Sequence, residues 1–360
     1  VGLPVLREAP IKLLNKKNVS QKPIFTDSVV RTLLENYTNT KTIVVISEKV
    51  LKLYPSLKSE FLKSKFTLLP FPDGEKVKTF KYQKKLINFL LEEKIDKFTT
   101  ICAIGGGTLL DLSGFVSSIL LRGLKWIAVP TTLLSMADAS IGGKTAINTN
   151  YGKNLVGTFH FPIETLIDIN FLKTLPKNHL QNGLVECAKC GLVKDRTLFE
   201  SSVNADLKDI EQLKKIVKKA QSVKLEVVKK DPFETKGQRY ILNFGHTVGH
   251  SLERCFDYKI LHGRAVLEGV LFESAFSFLQ GFLKKEDFNM IKNSIVSFFP
   301  RIKTLPSIEK IFQGALSDKK NQDKKVRYVP IKEIGKVALK PPYLSEVDFK
   351  TFQKAFFLVE

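Results

Sequence analysis

Histidine and cysteine are scarce in this chain: five and four residues among 360. Four cysteines, Cys102, Cys187, Cys190 and Cys255, are too few for the disulfide scaffold of a small secreted protein. Cys187 and Cys190 form a C-x-x-C, but the residues around them, Glu186 and Lys189 included, have helical spacing rather than the setting of a thioredoxin-like turn. No apolar run reaches the roughly 18 residues that a membrane helix needs. Internal repeats and low-complexity tracts are absent, which excludes solenoids and fibrous arrays. The first twenty residues carry Pro4, Pro10 and scattered charge in place of an apolar leader. The expectation is a cytoplasmic protein with reduced thiols and no membrane span.

Acidic residues are also few, 36 against 57 basic ones, for a formal net charge of +21. Nine of the basic residues are arginine, leaving 48 lysines. A surface that reads bases or forks onto phosphates would use more arginine. The densest runs, Lys214 to Lys219 and Lys319 to Lys325, have the look of a solvated helix face and a loop. Nucleic-acid binding is therefore not expected, and the basic field suits a small anionic ligand better.

What the chain does have is apolar material, 43% of its residues with 27 Phe, and a change of texture along its length. Up to about residue 175, short β-branched runs alternate with helical stretches. Thr42–Ser47, 66–69, 99–104 and 126–129 are strand-like, with helical periodicity over 78–94. That alternation predicts an α/β Rossmann-like domain with a parallel sheet over 1–175. Beyond a boundary near 174–177, amphipathic helical spacing covers 180–193, 206–230, 246–256, 264–283, 285–297, 307–316 and 345–357. An all-α domain over 176–360 is expected, with a ligand cleft between the halves.

Three glycines, Gly105, Gly106 and Gly107, follow a strand and precede the helical run Thr108-Leu109-Leu110-Asp111. Glycine admits close approach of an anion, and a helix start offers free N–H groups, so a pyrophosphate cradle is predicted. The spacing is not G-x-G-x-x-G. Asp73-Gly74-Glu75 follows another strand and could share that sheet edge, although Asp-Gly alone is an ordinary turn. His246, His250 and His262 lie within seventeen residues. A lone histidine is usually structural; three so close suggest a metal site with an open position. Spacing alone leaves two sets open: the three histidines, or two of them with a distant carboxylate such as Glu186. Basic side chains at Lys144, Lys153, Lys189, Lys224 and Arg239 would each pass for surface charge if taken singly.

Together these residues resemble the 3-dehydroquinate synthases among the sugar-phosphate cyclases. The resemblance is densest over 105–154 and 182–267. It rests on Gly114-Phe115, Arg122-Gly123, the run Val129-Pro130-Thr131-Thr132-Leu133-Leu134-Ser135, Asp138, Gly142-Gly143-Lys144-Thr145 and Gly152-Lys153-Asn154. The segment from Leu242-Asn243-Phe244-Gly245-His246 to His250, and then Leu261-His262-Gly263, completes it. It implies a homodimer that uses NAD and Zn2+, or Co2+, to convert 3-deoxy-arabino-heptulosonate 7-phosphate to 3-dehydroquinate and phosphate in the shikimate pathway of aromatic amino-acid biosynthesis. The implied chemistry is transient oxidation, phosphate elimination, re-reduction and intramolecular aldol closure.

The same resemblance assigns the metal to Glu186, His246 and His262. NAD falls to Asp73, Gly74, Glu75, Lys76, Val77, Lys78, Gly107, Thr108, Leu109, Leu110, Asp111, Thr131, Thr132, Lys144, Lys153, Phe171, Leu172, Lys173 and Thr174. Catalytic roles fall on Lys144, Lys189, Glu234 and His250. The small phosphorylated sugar-acid substrate would meet Arg122 (from the partner), Asp138, Asn154, Lys189, Lys224, Arg239, Asn243, His250 and Lys320. Rival readings are another sugar-phosphate cyclase and a metal-dependent polyol dehydrogenase of related fold; Lys224 and Arg239, as a carboxylate pocket, favour dehydroquinate.

Four departures from the family pattern stand out. Arg264 replaces a glutamate two residues after a metal ligand, with Glu268 as the expected i+4 partner to draw it away. Leu110 replaces glycine, Cys187-Ala188 replaces an aliphatic pair, and one residue is inserted near Lys236, upstream of Arg239.

Overall fold

The computed structural model describes residues 22–317 and 325–360. Eight strands fall in the first half: β1 (Ile24–Phe25), β2 (Thr42–Ser47), β3 (Thr67–Phe71), β4 (Thr100–Gly105), β5 (Lys125–Pro130), β6 (Lys144–Thr149), β7 (Gly152–Phe159) and β8 (Glu164–Ile167). Between them lie α1 (Val29–Tyr37), α2 (Glu48–Leu53), α3 (Pro55–Leu62), α4 (Phe80–Glu92) and α5 (Gly107–Ile119). Six strands form one sheet in the order β1-β8-β5-β4-β2-β3, every pair parallel. β6 and β7 leave it as a separate antiparallel ribbon.

The β-branched runs explain the sheet. All six residues of β2 are buried, and so are those of β4, as expected of strands covered on both faces. Alternate residues of β2 go to opposite sides. Ile43 and Val45 pack with Leu86 and Leu90 of α4 and Leu109, Leu112 and Val116 of α5. Val44 and Ile46 face the other way, into a cluster that continues through the helices of the second half.

Those helices are α6 (Lys177–Lys194), α7 (Arg196–Val203), α8 (Ile210–Lys230), α9 (His246–Cys255), α10 (His262–Leu279), α11 (Lys285–Phe298), α12 (Ile308–Leu316) and α13 (Phe349–Val359). α10 is buried on every side over nearly its whole length, including Glu268 and Glu273, which makes it the central post of the bundle. The outer face of α8 carries Lys214, Lys215, Lys218 and Lys219, part-buried to exposed. The second half is not purely helical. Short strands β9 (Val326–Tyr328), β10 (Ile331–Glu333), β11 (Lys336–Val337) and β12 (Ser345–Val347) form two small antiparallel pairs, β12 with β9 and β10 with β11. With two or three residues each, they are too short to leave a period in the sequence. Among the described residues no helix is long and apolar enough to cross a membrane. The cysteines are free, and Cys187 and Cys190 are buried inside α6.

Candidate functional site

A cleft of 1440 Å³ runs between the strand ends and the helical half. Its first wall is the carboxyl edge of the sheet, where ligands of open α/β sheets gather. Gly106 caps α5 without a side-chain hydrogen bond, so nothing from the cap competes for the first N–H groups of that helix. A Cβ on Gly107 would come 3.3 Å from that of Ala139, so a larger residue would crowd the cradle. Gly106, Gly107, Thr108, Asp111, Thr131 and Thr132 all border the cleft. Ser47 at the end of β2 donates to Asp73 at 2.7 Å, holding that carboxylate at the same edge.

The ribbon β6–β7 forms a second wall and is stitched to the loop after β3. Lys78 pairs with Asp111 and donates to Asn154, while Asn148 donates to Glu75 at 2.6 Å. Asn154, at φ +56, thus spends its side-chain oxygen on Lys78. Lys144 meets Glu234 at 2.6 Å.

The helical half supplies the third wall. Glu186, in the middle of α6, is 1% exposed. His246 and His262 are the first residues of α9 and α10. The ligand atoms of these three residues lie within 4.8 Å of one another. Each ring is anchored through Nδ1, His246 by the Phe244 carbonyl at 3.2 Å and His262 by Glu253 at 3.3 Å. Each therefore presents Nε2 to Glu186 Oε1, at 3.7 and 3.4 Å. Neither carboxylate oxygen of Glu186 has a well-directed hydrogen bond, although Lys189 Nζ faces Oε2 at 2.5 Å. A buried acceptor pair and two pre-aimed imidazoles fit a divalent cation held by one carboxylate and two histidines.

Electrostatics agree with a site built for a cation. Burial alone would raise the Glu186 carboxyl, but Lys189, His246 and His262 outweigh it and hold it well below the carboxylate range. Burial and the Lys189 charge keep His246 neutral. His262 resists burial through its bonds to Glu186 and Glu253 and is pushed up to about 10.

Buried cations surround this centre. Lys189 and Lys224 are 2% and 7% exposed. Lys224 Nζ pairs with Asp138 Oδ1 and donates to its backbone carbonyl, both at 2.7 Å. Arg239 is buried, with Nη1 on the carbonyls of Gly142 and Pro232 at 3.1 and 2.9 Å and no acceptor at Nε among the described residues. Gly142, at φ +99, leaves the guanidinium room: a Cβ there would come 2.7 Å from Nη2. A turn precedes Arg239 in the chain. The Asp231 carboxylate accepts from the backbone N–H groups of Thr235, Lys236 and Gln238, closing a turn that still delivers Arg239 to the cleft.

Asp73, Gly74, Glu75, Lys78, Lys144, Lys153, Asn154, Phe171, Thr174, Asn243 and His250 also border the cleft. Several other side chains expected there do not line the cleft. Val77, Leu109, Leu110 and Leu172 face the core, because each sits on the inward side of its helical turn. Lys76 and Lys173 are exposed and away from the cleft lining. Arg122 likewise lies outside it, exposed in a turn after α5. Arg264 is not drawn off by Glu268: that carboxylate is taken by Arg301 at 2.8 Å and by the Ile302 N–H. Arg264 donates instead to the Arg301 carbonyl at 2.5 Å. Lys319 and Lys320 lie outside the described residues.

The residue missed from sequence is Glu253. It follows His246 by seven positions and His250 by three, so helical spacing alone places it on their face.

The chain matches the family models described as "3-dehydroquinate synthase N-terminal" over residues 68–182 and "3-dehydroquinate synthase C-terminal" over 183–321. A 3-dehydroquinate synthase of Thermodesulfovibrio yellowstonii is 38% identical over 325 residues, 87% of this chain and 90% of that protein. One from Campylobacter hominis is 37% identical over 270 residues, 74% and 78% of the two chains. Among solved structures, the 2-epi-5-epi-valiolone synthase ValA from Streptomyces hygroscopicus, with NAD+ and Zn2+ bound, superposes with a TM-score of 0.86. It is 23% identical, and the match covers 98% of this chain and 99% of that one.

Proposed function

The chain belongs to the 3-dehydroquinate synthase family, and on that footing we propose that it converts 3-deoxy-arabino-heptulosonate 7-phosphate to 3-dehydroquinate and phosphate. The observation that carries the reading is one cleft holding a carboxylate–imidazole triad, a glycine-lined helix start and the buried cations Lys189, Lys224 and Arg239. When bound, NAD supplies a reversible hydride acceptor and Zn2+ or Co2+ a Lewis acid for the substrate hydroxyls.

The chain's own groups do the positioning. Glu186, His246 and His262 would hold the metal, and the turn at Gly106 and Gly107 the pyrophosphate of NAD. Lys224 and Arg239 suit the substrate carboxylate: their charges are buried, and Arg239 keeps a donor without an acceptor. This feature favours dehydroquinate over a cyclase product that lacks a carboxylate. Lys144, His250 and Asn243 border the cleft and would receive the phosphate, with Glu234 fixing the Lys144 ammonium. Burial would lower the Lys189 ammonium, but Glu186 outweighs it and raises it, so its charge is available to an anionic substrate. Held in one geometry, the ring-opened intermediate would be oriented for aldol closure.

Purified protein with NAD+ and metal should release phosphate from this substrate without net accumulation of NADH. Phosphate release from sedoheptulose 7-phosphate but not from the sugar acid would overturn the assignment. Steady NADH build-up with a polyol would favour the dehydrogenase alternative.

The homodimer belongs to the same proposal. Ile119 and Leu121 are 41% and 43% exposed beside Arg122. Leu121, Arg122 and Gly123 all have positive φ, a strained turn that holds this apolar edge and its cation outward. A second copy of the chain would cover the edge and receive Arg122. A cytoplasmic location is proposed from the free thiols.

A further inference from the structure

Glu253 carries two obligations that no assigned role explains. It lies on α9 and is 3% exposed. Its Oε2 faces His262 Nδ1 at 3.3 Å, and its Oε1 accepts from Lys153 Nζ at 3.0 Å. Lys153 belongs to β7, so the carboxylate ties the β6–β7 ribbon to the helix pair that presents the imidazoles. Lys153 is held at a second point, with its ammonium 4.7 Å above the Tyr258 ring.

We infer that Glu253 is a positioning residue that couples metal binding to the docking of the β6–β7 ribbon. The inference rests on the proposed metal site and extends it. A metal on His262 Nε2 requires the remaining ring proton on Nδ1, and Glu253 Oε2 is the acceptor that fixes that tautomer. The other oxygen receives the ribbon's lysine. One carboxylate with two acceptor oxygens serves two donors; an amide has one oxygen and an NH2 that accepts from neither. Glu253→Gln therefore keeps the volume and must fail one partner. In the opposite direction, loss of Lys153 leaves the Glu253 oxygen without its cation and loosens the acceptor behind His262.

The test is metal affinity by chelator competition in the full-length chain, with Zn2+, for wild type, Glu253→Gln, Lys153→Met and the double variant. Glu253→Gln should weaken binding by about 10–100-fold, as loss of an outer-shell partner does. Lys153→Met should weaken it by at least about threefold, although it touches no metal ligand, because it couples through Glu253. The double variant should be no worse than Glu253→Gln. With Co2+ in place of Zn2+, the visible absorption band should shift in Glu253→Gln, a change that general loosening of the fold would not produce. Unchanged affinity in Glu253→Gln, or losses that add in the double variant, would overturn the coupling. Should Glu253→Gln fail to fold, Lys153→Met decides: wild-type affinity there overturns the inference. A wild-type chain that takes up no stoichiometric metal would instead overturn the proposed function, so the two failures are distinct.

Discussion

Burying one carboxylate costs several kcal/mol unless cations answer it. Glu186 is answered by the Lys189 ammonium, with the His246 and His262 rings beside it, and its own backbone position at the middle of α6 cannot move to water. His262→Ala should therefore lose more than the roughly 10–100-fold in metal affinity expected for an outer-shell change. Metal content of the purified variant, read by elemental analysis against wild type, checks this; retained stoichiometric metal would show the ligand set to be wrong. At this scale the sequence was informative where residue types are rare. Three clustered histidines in a histidine-poor chain pointed to a site, but spacing did not choose between His250 and Glu186 as the third ligand. Only the fold brings α6 against α9 and α10. Glu253 escaped notice because glutamate is common, even though its periodicity was visible. Helical spacing pairs Glu268 with Arg264, whereas the distant segment at Arg301 folds over it and takes the carboxylate.

Elements with strong periodicity were legible, and those held by cross-strand pairing were not. β2 and β4 are β-branched runs bounded by turns, and α8 carries an apolar stripe through Leu213, Ile216, Val217, Ala220 and Val228. The ribbon β6–β7 reads Lys-Thr-Ala-Ile-Asn-Thr and Gly-Lys-Asn-Leu-Val-Gly-Thr-Phe, with no clean alternation, because its sides face the cleft and α5 rather than one core. Caps can be read locally. Asp195 ends α6 and begins α7, with Oδ1 accepting from the Leu198 N–H at 3.0 Å and the Thr197 hydroxyl at 2.7 Å. Asp195→Ala should cost about 1 kcal/mol. Partial burial would raise this carboxyl, but its hydrogen bonds lower it below the ordinary aspartate value. A depressed folded-state pKa gives stability that is present above the unfolded value and lost as pH falls through the folded one. The difference between wild type and Asp195→Ala should thus shrink on acidification below about pH 4, as followed by urea unfolding at a series of pH values. A gap that widens with acid would contradict the capping role.

For the whole molecule, the α/β-then-helical order followed from the change in periodicity, whereas the joint between the halves could not be read. One apolar cluster runs from Val44 and Ile46 on the sheet to Leu184, Phe199 and Phe272 among the helices. Contacts so distant in sequence leave no local trace. The charge of +21 is likewise a sum, silent about position; only the fold shows Lys189, Lys224 and Arg239 turned inward on the cleft. Assembly belongs to this scale too. Sedimentation equilibrium should give a two-chain mass, and Leu121→Lys should shift it toward one chain. A single-chain mass for wild type at micromolar concentration would sink the dimer.

The shared cluster also constrains how the molecule can be divided. A protease that nicks a surface loop near the joint would leave both fragments clasped, since neither owns a complete interior. A gene split at the same point would yield two polypeptides that each expose a sheet face or a helix row to solvent. Such halves would depend on meeting one another soon after synthesis to cover those faces.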